Sequence, residues 1–102
     1  MSGVRLIVQF TADSPETADK AVAEAAERCK RAQKEPGCLQ FEVYRSALDP
    51  KKYVLLEHWE SKDALAVHAE GMASNPPARN PNIQRTREDY EYAETAAPAP
   101  AR

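Results

Sequence analysis

An α+β domain of the ferredoxin-like class, with the order β-α-β-β-α-β, is predicted from three features of this 102-residue chain. Apolar residues recur at every second position in residues 4–10, 38–46 and 52–59. Two stretches with helical spacing each open on a serine. A short turn, Leu48-Asp49-Pro50-Lys51, joins the second and third strands into a hairpin.

The first strand sets Val4, Leu6, Val8 and Phe10 on one face. Ser14-Pro15-Glu16 then starts a helix. Serine caps free N–H groups, proline fits the first helical position, and glutamate suits the positive end of the dipole. The helix is expected to run to about Lys34, where Pro36-Gly37 stops it. Its apolar stripe is Ala18, Ala21, Val22, Ala25, Cys29 and Ala32, all small enough for close docking. Glu16–Lys20, Glu24–Arg28 and Glu27–Arg31 are spaced for i,i+4 ion pairs on the other face.

In the second strand Leu39, Phe41 and Val43 are expected to face one way, with Gln40, Glu42 and Tyr44 opposite. In the third, Tyr53, Leu55, Glu57 and Trp59 share a face, opposite Val54, Leu56 and His58. Ser61 caps the second helix and Asp63 lies in its first turn. The inward stripe of that helix is Ala64, Leu65, His68, Ala69 and Met72. Residues 71–82 hold three prolines and three asparagines and read as a long loop of functional interest. A charged last strand over residues 83–92 suits a sheet edge. One domain over residues 1–95 and a disordered tail over residues 96–102 complete the organisation.

Helices on one side of this sheet leave Ile7, Val54 and Leu56 on the other, an apolar face that needs cover. A homodimer through the sheet faces is the expected solution. Formal net charge is −2 and no basic stripe is present, which argues against nucleic acid. No apolar run approaches the ~20 residues of a membrane span. No signal peptide is visible at the start, so a cytoplasmic location is expected. Cys29 and Cys38 make no disulfide framework and are expected to be reduced. A redox pair would require the end of the first helix to lie against the second strand.

Glu57, Trp59 and His68 are the candidate chemistry. Glu57 and Trp59 point to the same side of a strand, and His68 lies on the inward stripe of the next helix. Together they would form a pocket with an aromatic wall and two titratable groups. Plainer readings stay open: Trp59 as core, His68 as a satisfied boundary histidine or a haem ligand, and Glu57 paired with His68 or Arg45. His58 points to the dimer side, as does Tyr44; Tyr90, Tyr92 and Arg79 are secondary candidates. With three glycines, no phosphate cradle is expected, and no metal or nucleotide motif is present.

The runs Glu35-Pro36-Gly37-Cys38-Leu39, Phe41-Glu42-Val43-Tyr44 and Leu56-Glu57-His58-Trp59-Glu60-Ser61, with Ala64-Leu65 and His68, resemble the antibiotic biosynthesis monooxygenase (ABM) family. The resemblance covers residues 4–70. It implies a dimeric α+β barrel and cofactor-independent oxidation of a small aromatic or quinol substrate by dioxygen. It further implies His68, Glu57 and Trp59 as catalytic residues, with Phe41, Leu55, Leu65, Met72 and Arg79 lining the substrate site. No cofactor or metal is expected. A non-oxygenase barrel binding a hydrophobic metabolite, and a haem-binding or haem-degrading protein, are the alternatives. After His68, where many relatives continue helically to a second histidine, this chain has Gly71-Met72-Ala73-Ser74-Asn75-Pro76-Pro77.

Overall fold

The computed structural model describes residues 2–76 and 79–93. Its elements are β1 (Ser2–Ala12), α1 (Pro15–Ala32), β2 (Cys38–Arg45), β3 (Lys52–Trp59), α2 (Lys62–Ser74) and β4 (Ile83–Ala93). The four strands form one antiparallel sheet in the order β2-β3-β1-β4. This is the expected ferredoxin-like architecture, with charged β4 at an edge. The expected tail lies outside the described residues.

Alternation decides which side chains enter the core. Val4, Leu6 and Val8 from β1 and Tyr53, Glu57 and Trp59 from β3 are buried on one face. Both helices lie on that face. Ser14 accepts the Thr17 N–H at 3.1 Å and opens α1, which buries Ala18, Ala25, Cys29 and Ala32. The i,i+4 ion pairs do not form. Glu27 instead pairs with Lys30 at 2.8 Å, three residues on, on a solvated face where such pairs contribute little.

β2 departs from simple alternation. Cys38 pairs with Trp59, and Gln40 with His58, so the strand carries a bulge with Leu39 as the extra residue. Leu39 is therefore 55% exposed rather than aligned with buried Phe41, and Cys38 packs against the core. Beyond the bulge Phe41 and Val43 face inward as expected. The Gln33 amide donates to the Phe41 carbonyl at 2.9 Å and ties the end of α1 to this strand.

Two expectations about α2 are corrected. The helix runs through Gly71 to Ser74 rather than giving way to loop at Gly71. One glycine costs a helix only about 1 kcal/mol, and Ser61 caps the far end by accepting the Ala64 N–H at 3.1 Å. Ala69 and Met72 are also exposed rather than inward, and no residue of α2 is buried. Both cysteines are free thiols, and burial pushes each thiol pKa up. Among the described residues, no helix is long and apolar enough to cross a membrane.

Candidate functional site

Trp59 ends β3 and is fully enclosed, with Val4 and Cys38 as its cross-strand neighbours. Glu57, two residues earlier on the same face, is 6% exposed. The Trp59 indole N–H donates to Glu57 Oε1 at 3.0 Å. This bond, rather than one from His68 or Arg45, answers the buried carboxylate. Arg45 is engaged elsewhere, with Asp19 at 2.6 Å and the Pro50 carbonyl. Burial raises the Glu57 pKa; the indole bond and the nearby His68 and Arg87 act in the opposite direction.

His68 comes down from α2 onto this pair. Its ring centroid lies 4.7 Å from that of Trp59 and 5.4 Å from that of Phe41. Phe41 meets Trp59 edge-on at 6.2 Å. The three rings form an aromatic cluster at the Trp59 end of the sheet, and Leu55 and Leu65 pack against the larger core cluster that contains Phe41 and Trp59. Trp59, Glu57, His68 and Phe41 are thus neighbours, and Leu55 and Leu65 lie against the same core. Met72 and Arg79 are exposed and stand apart from the enclosed pair.

Sequence reasoning missed Glu35. Its two carboxylate oxygens lie 2.9 and 3.0 Å from His68 Nδ1. An ionised carboxylate only accepts hydrogen bonds, so Nδ1 is the donating nitrogen of this contact. Among the described residues Nε2 has no hydrogen-bond partner. No local signal marks it: only the pairing of Cys38 with Trp59 sets the residues just before Cys38 at the Trp59 end of the sheet.

The opposite face carries a separate network. His58 Nε2 is hydrogen-bonded to the Tyr92 hydroxyl, and Arg5 lies 6.0 Å from the Tyr92 ring centroid. Arg5 also donates to Gln40 Oε1 at 3.1 Å. Burial, with Arg5 adding to it, holds the His58 pKa below its usual value. Tyr44 and Tyr90 are half-exposed. Two shallow grooves, of about 350 and 320 Å³, lie elsewhere, beside Gly3 and Glu91 and beside Phe10 and Tyr44. Neither borders Glu57, Trp59 or His68. Among the described residues no group of three His, Cys, Asp or Glu side chains could hold a metal ion.

Residues 4–74 match the antibiotic biosynthesis monooxygenase family. The chain belongs to that family. Solved structures share the fold of this ABM protein. A conserved protein of unknown function from Bacteroides thetaiotaomicron, described as a possible oxidoreductase, is 21% identical with a TM-score of 0.73, covering 89% of this chain and 98% of that one. A candidate antibiotic biosynthesis monooxygenase from Deinococcus radiodurans is 18% identical with a TM-score of 0.68, covering 96% and 98%. The haem degrader MhuD from Mycobacterium tuberculosis, solved with two haems in its active site, is 21% identical with a TM-score of 0.66, covering 92% and 99%. No curated protein matches the ABM chain in sequence.

Proposed function

We propose that the protein is a cofactor-independent monooxygenase that oxidises a small aromatic or quinol-type substrate with dioxygen. The observation that carries this reading is His68. Its ring is flanked by Trp59 and Phe41, its Nδ1 is held by Glu35, and among the described residues its Nε2 has no hydrogen-bond partner. In this reading a substrate ring enters against the aromatic cluster and Nε2 accepts its phenolic proton. The phenolate passes an electron to dioxygen, and a carbon–oxygen bond forms at the electron-rich carbon. Loss of water leaves a carbonyl, so one oxygen atom enters the product and the other leaves as water with two substrate hydrogens. Trp59 is enclosed, so in this reading the substrate ring meets the cluster at His68, whose residue is only partly buried.

The same reading includes a second copy of the chain. Ile7, Val54 and Leu56 are only partly covered on the helix-free face of the sheet, and packing two such faces would bury them and close an α+β barrel. Sedimentation at micromolar concentration is expected to show a dimer; a monomer would remove the barrel.

An oxygen electrode with a panel of quinols tests the chemistry. Uptake above the buffer rate is expected, falling roughly 10²–10⁴-fold in His68→Ala if the imidazole takes the proton. Uptake equal to buffer for every quinol would overturn the reading. The closed Glu57–Trp59 pair favours a second one, a barrel that binds a hydrophobic metabolite without turnover. Ligand-dependent change in Trp59 emission, unaffected by His68→Ala and without oxygen uptake, would support it. A Soret band on adding haem, lost in His68→Ala, would instead point to haem.

A further inference from the structure

We infer that Glu35 is a positioning residue that fixes the tautomer and direction of His68, so that Nε2 is the ring nitrogen that accepts the substrate proton; this rests on the monooxygenase reading above. Packing against Trp59 and Phe41 encloses the His68 ring but cannot choose which of its two nitrogens carries the proton. Glu35 can, because its own backbone is clamped. Its N–H donates to the Ala32 carbonyl at 3.0 Å, and its carbonyl accepts the Cys38 N–H at 3.1 Å. Pro36 follows with a ring-restricted φ, and Gly37 turns the chain at φ +80°. The carboxylate is therefore presented from a rigid turn to a histidine on a lightly docked helix. Two oxygens within 3.0 Å of one nitrogen hold the proton at Nδ1. Without them an imidazole ordinarily carries its proton at Nε2, which would place a donor where the reaction needs an acceptor.

A purely structural tie between α2 and the turn would use the same contact, so the test must read the ring itself. Nitrogen-15 spectra of the untagged protein, labelled at its two histidines, report the tautomer in the resting state. His58→Asn assigns the signals. At a pH where the ring is neutral, His68 is expected to be protonated at Nδ1 in the native protein and in Glu35→Asp, and at Nε2 in Glu35→Ala. Carboxylates that orient metal-bound histidines are typically worth about 10–100-fold in activity, and a fall of that order in kcat with a quinol is expected in Glu35→Ala while KM changes little. Glu35→Asp is expected to recover most of it. Nε2 protonation in the native protein overturns the inference even if Glu35→Ala fails to fold. So does an unchanged tautomer in Glu35→Ala, or a switched tautomer with unchanged kcat. Absence of oxygen uptake in the native protein would overturn the monooxygenase reading instead, with the tautomer still decided by the spectra.

Discussion

Helices α1 and α2 are each opened by a serine whose hydroxyl accepts the N–H three residues on, at nearly the same extended backbone angles, yet α1 buries Ala18, Ala25, Cys29 and Ala32 while α2 lays only partly buried Ala64, Leu65 and His68 on the core. The difference lies in what each helix faces. Helix α1 lies chiefly on β2, whose Phe41 and Val43 meet its small side chains. Beyond α2 the sheet ends in β4, where Arg85, Arg87, Asp89 and Glu91 stand opposite core residues Phe10, Val8, Leu6 and Val4. Lys62 at the start of α2 reaches Glu91 at 2.7 Å, an exposed pair in place of apolar packing. Capping decides where a helix begins; the surface beneath it decides how firmly it is held.

Substitutions can sharpen this contrast. Ala18→Asp places an unpaired charge at a fully buried site and is expected to cost at least about 3 kcal/mol in urea unfolding. Ala69→Asp, on the matching stripe of α2, is expected to stay within about 0.5 kcal/mol. Equal costs would erase the distinction. Trp59→Phe removes the indole donor from the buried Glu57 carboxylate and is expected to cost about 2–3 kcal/mol.

Glu57 gives the contrast a pH signature. Its pKa is raised in the folded state, so the folded protein binds that proton more tightly than the unfolded chain. Its contribution is fully favourable below the unfolded carboxyl pKa and is lost as pH rises through the raised folded value. Glu57→Gln, which keeps an acceptor for the indole, is expected to flatten that slope and to stabilise the protein at neutral pH by on the order of 1 kcal/mol. A parallel pair of stability–pH curves would show that the burial cost is relieved in some other way. The smallest effects concern the caps. Ser14→Ala is expected to lower global stability by about 1 kcal/mol. Ser61→Ala is expected to register mainly as faster amide exchange in α2, because a lightly docked helix opens without unfolding the rest.

Much of the fold was legible because period-two alternation and serine caps are local signals. The faces of β1 and β3, both helix starts and the convergence of Glu57, Trp59 and His68 follow from them. The displaced Leu39 was not legible, since a bulge depends on how β2 meets β3 rather than on the residues of β2. The role of Glu35 was hidden for the same reason. Its partner lies 33 residues away, and only the register of β2 against β3 brings them together. Met72 misled because helical spacing gives a direction for a side chain without showing whether anything lies there to receive it.

Gly37 has a mechanical consequence. A methyl group added there would sit 2.5 Å from the Ala64 side chain, at a backbone angle that L residues rarely adopt. The Gly37 carbonyl also accepts the Glu60 N–H at 2.9 Å, just ahead of α2. The start of the helix therefore rests on a fulcrum one carbon atom deep. Helix α2 is about 20 Å long at 1.5 Å per residue, so a tilt of ~10° about that point would carry its far end roughly 3 Å. His68, halfway along this lever, would move by about half as much, so a methyl group at Gly37 would be felt at the imidazole as a changed distance to the tryptophan.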